Sequence, residues 1–267
     1  MSDSSDVKKT LSNPGVHQGW EAKFRTSANE KFFERAFDDI AATLGVEDNA
    51  TILDAGCGPC RHSLRLAARG FDVTAIDYSE YVIDQAKQQI RDSGYADKIQ
   101  LQKDDILDLS FPDHSFDSVF CWGVLMHIPD IRQAISELSR VLQPGGRLVI
   151  SEVNMHSLEI RAAERWRSLR ASSSIETKLT EEGIETWADT ESGKLLSRRV
   201  NVPWLIREFS QHGVELVQRS PGQFTEAYTR VTSTWINRLI HEFNFLWYRR
   251  VKLPGPACGN LLYFQKR

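Results

Sequence analysis

One stretch constrains this chain more than any other: Ile52-Leu53-Asp54-Ala55-Gly56-Cys57-Gly58, an apolar run that ends in an acid and opens onto closely spaced glycines. A second apolar run follows and ends in a second acid, Asp77. Gly56 and Gly58 carry no side chain, so the backbone there can come close to a ligand. The helix expected next offers free N–H groups and a partial positive charge. Two acids at the ends of successive strands, with a glycine loop between strand and helix, make a pocket for an adenosyl ligand at the edge of a parallel sheet.

The rest of the chain has the rhythm such a sheet needs. Strands are expected at Thr51 to Ala55, Asp72 to Ile76, Ile99 to Lys103, Phe116 to Cys121 and Arg147 to Glu152. Helices are expected between them: Cys60 to Arg69, Ser79 to about Asp92 with Ser79 as its cap, and Ile131 to Leu142, broken by Pro144-Gly145-Gly146. Strands alternating with helices imply crossover units and a parallel sheet covered on both faces. Four segments follow from the pattern. Residues 1–44 are a tail, disordered to about residue 19, and a helical cap with apolar residues at helical spacing from Trp20 to Leu44. Residues 45–153 are the α/β core. Residues 154–200 are an insertion, with a helix from Ser157 to Arg170 and a hairpin turning at Thr190-Glu191-Ser192-Gly193. Residues 201–267 complete the sheet with strands at Val214 to Gln218 and Asn260 to Gln265, and carry a helical lid at about 221–257.

Charge excludes one large class of partner. The 267 residues include 33 basic and 36 acidic side chains, a formal net charge of −3, without the basic footprint of a non-specific nucleic-acid binder. The polar start Met1-Ser2-Asp3-Ser4-Ser5-Asp6 has no signal-peptide core, and no apolar run is long enough to span a bilayer. The chain therefore reads as cytoplasmic, and its four cysteines as thiols.

The segments around the glycine loop resemble the class I S-adenosylmethionine-dependent methyltransferases, in their small-molecule, methyltransferase type 11-like branch. Gly58-Pro59, Ile76-Asp77, Asp105 with Leu109-Ser110-Phe111-Pro112, Ser115-Phe116-Asp117, His127 and Leu142-Gln143-Pro144-Gly145-Gly146 stand at that family's intervals over residues 50–153. The resemblance implies a Rossmann-like, doubly wound seven-stranded sheet of order 3-2-1-4-5-7-6 with strand seven antiparallel, extended by helical and hairpin insertions. It implies S-adenosyl-L-methionine as cofactor, with Gly56, Cys57 and Gly58 cradling it and Asp54 at its amino end. Asp77 would sit on both ribose hydroxyls and Tyr78 against the adenine. Asp105 and the Ile106 backbone would take the adenine edge. Asp104 is an alternative to Asp105, since either acid could face the pocket, and the family spacing to Leu109 and Phe111 favours Asp105. Cys121, Trp122 and Gly123 follow strand four, where the acceptor lies in the family. Trp20, Phe24 and Arg25 would close over the cofactor, with Arg25 on its carboxylate. His127 is either a base for a hydroxyl or amine or a packed histidine that orders its loop. No metal is expected.

The strand-four tip lacks the Asn/Asp-Pro-Pro-aromatic and Pro-Cys signatures of nucleic-acid methylation. The implied acceptor is a small molecule or a glycan or lipid-linked intermediate, methylated at oxygen. Three other readings compete. Cys57-Gly58-Pro59-Cys60 spells a thioredoxin-type redox tetrapeptide at a strand–helix junction, but no tryptophan precedes it. A nicotinamide dehydrogenase wants a third glycine where Arg61 stands. The third is a methyltransferase fold kept as a non-catalytic binding partner. Trp235, Leu239, Phe243, Leu246 and Trp247 on the long helix expected from Thr229 to Arg250 read as core packing plus lid, with a homodimer contact as an extension. Arg249, Arg250 and Lys252 beside them suit an acidic membrane surface, for peripheral contact, or the helix end.

Overall fold

The computed structural model of the chain describes residues 4–24, 27–45, 50–168 and 176–267. The chain opens with three helices, α1 (Ser4–Leu11), α2 (Pro14–Phe24) and α3 (Ser27–Leu44). The alternating part follows: β1 (Thr51–Ala55), α4 (Arg61–Ala67), β2 (Asp72–Asp77), α5 (Glu80–Arg91), β3 (Ile99–Lys103), β4 (Phe116–Trp122), α6 (Ile131–Val141) and β5 (Leu142–Val153). An insertion adds α7 (Leu158–Ser168), β6 (Glu176–Leu179), β7 (Gly183–Thr190) and β8 (Gly193–Val200). The chain closes with α8 (Val202–Gln211), β9 (Val214–Pro221), α9 (Thr234–Leu246), a π turn at Trp247–Val251, and β10 (Gly259–Lys266).

Seven strands make one sheet in the order β3-β2-β1-β4-β5-β10-β9. This is the expected order, with β10 standing seventh in that scheme and pairing antiparallel with both β5 and β9. The pairs β1–β2, β1–β4, β2–β3 and β4–β5 are parallel, so the tips of β1, β2, β4 and β5 lie along one edge. Strand order reverses between β1 and β4, which opens a crevice at that edge. Side chains alternate across the sheet. Ile52 and Leu53 are adjacent in β1 yet enter opposite layers: Ile52 joins Phe37, Phe120 and Val149, and Leu53 joins Val119, Ile135 and Leu138. α3 covers the first layer because Phe32, Ala36, Phe37, Ile40 and Leu44 fall on one helical face, all buried.

Three features differ from the sequence expectation. The first nineteen residues are not a disordered tail: among the described residues, α1 and most of α2 occupy them, and Val7 and Thr10 are buried. The insertion is a separate three-stranded antiparallel sheet, β6-β7-β8, whose first strand is not signalled by periodicity. The long helix is shorter than expected, and its apolar stripe is only partly packed. Trp247 lies 4.4 Å from Phe224 and Tyr248 is buried against Phe32, whereas Trp235, Leu239, Phe243 and Leu246 remain exposed. No helix among the described residues is long and apolar enough to cross a membrane.

Candidate active site

The glycine loop leaves the tip of β1 and is held from two sides. The N–H groups of Gly56 and Cys57 both donate to the Ile76 carbonyl, at 2.9 and 2.8 Å, clamping the loop to the end of β2. Asp77 grips it further on: Oδ2 accepts the Gly58 N–H at 3.0 Å and Oδ1 accepts the Ser79 N–H at 2.9 Å. The Ser79 hydroxyl, expected to cap the next helix, makes no cap bond. Its buried oxygen has no protein partner and lies in the wall of the cavity beside the loop.

Gly56 has φ +78°, and a Cβ there would stand 2.5 Å from a Val124 methyl. Only glycine meets both conditions without displacing Val124. Gly56→Ala is expected to lower both thermal stability and nucleoside affinity, and Val124→Ala in the same chain to restore part of each. Additive losses in a thermal-shift double-mutant cycle would disprove the contact.

The loop, β2 and the segment after β3 enclose a cavity of about 230 Å³. The structure brings Gly56, Cys57, Gly58, Asp77, Tyr78, Ile106 and His127 to its wall. Asp54, Asp105 and Cys121 are not in that wall. Asp54 lies beneath the loop, where Oδ2 accepts the Ser63 hydroxyl at 2.6 Å. Cys121 is fully buried inside β4. Asp104 reaches the wall, whereas Asp105 turns its carboxylate to Lys8 at 2.5 Å and to the Leu107 N–H at 3.0 Å. Arg25 lies outside the described residues. Leu11, His17 and Trp20 close the cavity from the first two helices, and the Lys8 ammonium stands 5.3 Å over the Tyr78 ring.

Burial dominates the electrostatics. It pushes the Asp54 carboxyl up to about 7, against the Ser63 hydrogen bond and with the neighbouring Asp77 charge adding to it. Burial also raises Asp77, opposed by the N–H groups of Ser79 and Gly58. Cys57 and Cys60 are free thiols with sulfurs 3.5 Å apart. Burial pushes the Cys57 thiol well up, opposite to the lowered thiol pKa that a dithiol oxidoreductase uses. Among the described residues no group of three His, Cys, Asp or Glu side chains is placed to hold a metal ion.

A second, larger cavity of about 470 Å³ adjoins the first. Trp20, Cys57, His62, Trp122, Gly123 and His127 belong to both walls. Phe24, Phe32, Phe33 and Met126 supply much of its apolar lining. His127 sits on the shared partition, with its ring stacked on Trp20 at 4.7 Å. Its Nδ1 lies 2.7 Å from the Leu196 carbonyl of β8. A carbonyl only accepts, so Nδ1 carries the hydrogen and Nε2 is left as an acceptor. Burial pulls His127 down to about 4, so the ring is neutral at physiological pH.

Residues that the motif reading missed surround this cavity. Arg198, 1 % exposed, donates to Glu185 at 2.8 Å and to the carbonyls of Ile128, Leu125 and Pro129 at 2.8, 3.3 and 3.3 Å. It thereby fastens β8 to the turn that carries His127. Glu152, 2 % exposed at the tip of β5, accepts the Leu125 N–H at 2.9 Å, and burial raises its carboxyl to about 8. Glu226 also lines the cavity, raised by burial to about 7. Strand parity signals Arg198, which alternates with the buried Leu196 and Val200; Glu152 is signalled by its place at a strand tip.

Residues 53–150 match the family model of a methyltransferase domain. The chain is 32% identical over 137 residues to a sterol 24-C-methyltransferase of Gibberella zeae, across 48% of this chain and 35% of that one. It is 31% identical over 150 residues to the 27-O-demethylrifamycin SV methyltransferase of Amycolatopsis mediterranei, across 55% of this chain and 54% of that one. Measured this way, it spans between about a third and about half the length of these curated relatives. Its fold is shared with the magnesium protoporphyrin IX methyltransferase of Synechocystis PCC 6803, crystallised with bound S-adenosylhomocysteine, at a TM-score of 0.64 and 16% identity over 98% of this chain and all of that one.

Proposed function

We propose that this chain, whose residues 53–150 form a class I S-adenosylmethionine-dependent methyltransferase domain, methylates a hydroxyl group of a small molecule. The observation that carries this reading is the shared partition: a glycine-loop cavity and a larger, aromatic-walled cavity meet at Gly123, Trp122 and His127. The donor's sulfonium supplies a methyl group that is already reactive, so the protein's part is alignment and exclusion of water.

The residues present fit that donor. A Cβ added at Gly58 meets nothing within 4 Å, so the cradle is open. The unpartnered Ser79 hydroxyl and the Asp77 carboxylate stand together in the wall as hydrogen-bonding partners for a ribose. Tyr78 and Ile106 offer flat apolar surface for a base. Across the partition, neutral His127 presents Nε2 as an acceptor that orients the reacting hydroxyl, and the burial that holds its pKa near 4 makes it a weak base for that hydroxyl's proton.

Asp54 gives the reading a test in protons. With its carboxyl at about 7, about half the molecules hold that proton at pH 7. The native state then binds more protons than the unfolded chain between about pH 4 and 7, so this group's stabilising contribution is lost as pH rises through that window. A cationic donor nearby favours the carboxylate. Calorimetry at pH 7 in buffers of different ionisation enthalpy is expected to show release of about half a proton on binding S-adenosylmethionine. Affinity is expected to rise from pH 6 to 8. Proton uptake, or no binding, would remove Asp54 or the whole reading respectively.

The acceptor itself is found by labelling. The protein is incubated with methyl-labelled donor and an extract of its source cell, and the product is expected to carry an O-methyl group. Label in the lipid phase would assign a lipid-linked acceptor, in keeping with the exposed stripe of α9; label in the aqueous phase would assign a soluble one. Label on nitrogen or carbon would overturn the hydroxyl assignment.

A further inference from the structure

Helix α9 is inverted relative to an ordinary surface helix. It buries two polar residues, His241 and Asn244, and turns Trp235, Leu239, Phe243 and Leu246 outward, between 43 and 69 % exposed. The four outward residues recur at steps of four, four and three, so they lie in one stripe. His241, Asn244 and Tyr248 recur at three and four on the opposite side. Hydrogen bonds fix that inward side. The Asn244 side chain accepts the Thr225 N–H at 3.1 Å and donates to the Thr225 carbonyl at 2.9 Å. The Tyr248 hydroxyl donates to Asp39 at 2.9 Å. Rolling the helix to bury its stripe would break these bonds and leave buried polar groups unpaired. The stripe therefore stays outward, and the exposed Val251 and Leu253 extend it beyond the helix.

Charge decides what covers it. Residues 234–253 hold four basic side chains, Arg238, Arg249, Arg250 and Lys252, all exposed, against one acid. That acid, Glu242, is paired with Lys31 of α3 at 3.2 Å. The face is thus positive on a chain whose formal net charge is −3. A second copy fits it poorly: a symmetric pairing sets the patch on its own image, positive against positive. Apolar side chains flanked by basic groups, with a tryptophan among them, match a bilayer interface with anionic headgroups. We propose that the outward stripe of α9 and the basic turn after it dock the protein on an anionic membrane surface. Trp235, Leu239, Phe243 and Leu246 enter the acyl boundary, and the four basic side chains meet lipid phosphates. On the inward side, His241 lies 4.5 Å from Tyr228 and Tyr248 lies 5.2 Å from Phe32. Tyr228 and Phe32 both line the larger cavity, so docking holds that cavity one helix away from the lipid. The docking stands on the face alone; its use, uptake of a lipid-soluble acceptor, rests on the reading of that cavity.

Sedimentation of the full chain with vesicles tests the surface. Neither donor nor acceptor is present, so failure here leaves the methyltransferase reading untouched, and failure to bind S-adenosylmethionine leaves the docking untouched. The probes are vesicles of phosphatidylcholine alone and of phosphatidylcholine with phosphatidylglycerol in equal parts. The protein is expected to bind the anionic vesicles roughly tenfold or more tightly than the neutral ones, and to lose most of that preference in high salt. Arg249→Ala with Arg250→Ala is expected to lose much of the preference. Trp235→Glu with Leu239→Glu is expected to abolish binding with Tm unchanged, because both side chains already stand mostly in water. Leu179→Glu, on the still more exposed leucine of β6, is expected to bind as the unaltered chain does. No sedimentation of the unaltered chain with anionic vesicles overturns the proposal without recourse to any variant. Binding that survives the Trp235 and Leu239 substitutions, or is lost equally in Leu179→Glu, overturns it as well. A dimer in solution that Leu239→Glu converts to monomer overturns it too and gives the stripe to a second copy.

Discussion

Arg198→Ala is expected to destabilise the protein by about 3–5 kcal/mol, because it strips the partner from a buried carboxylate. Glu185 is 7 % exposed and accepts its ion-pair hydrogen bond from Arg198, and the Ile128 carbonyl takes another at 2.8 Å. Alanine leaves the Glu185 charge with only the Trp187 indole N–H at 3.2 Å, and the carbonyls of Ile128, Leu125 and Pro129 without their arginine donor, at the junction between two sheets. Arg198→Lys is expected to recover only part of the loss, since one ammonium cannot reproduce a fork that spans four acceptors. Urea unfolding measures both. A loss below about 1 kcal/mol for the alanine variant would mean that the junction rehydrates freely and that β8 does not hold the 125–129 turn.

The second large effect falls on the donor site. Asp77→Ala removes the acceptor for the N–H groups of Gly58 and Ser79 and the wall carboxylate that the proposed function puts on the ribose. S-adenosylmethionine affinity is expected to fall by about 1–3 kcal/mol, roughly ten- to a hundredfold in Kd. Asp77→Asn is expected to lie between, because its amide oxygen accepts one N–H while its NH₂ group faces a donor. Calorimetry separates these outcomes, and an unchanged Kd for Asp77→Ala would take Asp77 out of the site.

The sheet was legible because its central strands are buried on both faces and so read as plain apolar runs, each ending at a loop with chemistry in it. Ile52 to Ala55 and Phe116 to Cys121 needed nothing beyond their own composition. The N-terminal helices were not legible. α1 has few apolar residues, and its placement depends on distant contacts such as Lys8 with Asp105, which no local pattern reports. Part of the chemistry failed for a related reason. Motif spacing finds residues of one strand tip and its loop, but Glu152 and Arg198 come from two sheets that meet only in the folded molecule. Arg198 was within reach: counting by twos along Leu196, Arg198 and Val200 puts it inward, and an inward arginine is almost never found without a buried partner. Ser79 illustrates the opposite error. Its residue type suits a helix cap and it stands at the N-cap position, yet its hydroxyl makes no cap bond.

Trp20 belongs to the walls of both cavities, and its ring lies flat on His127. A single outward swing of the first two helices would therefore unroof both chambers in one event. Spent nucleoside and finished product would leave through the same opening, and fresh reactants would be sealed in together. Residues of the first two helices therefore bear on the donor side and the acceptor side of the site at once.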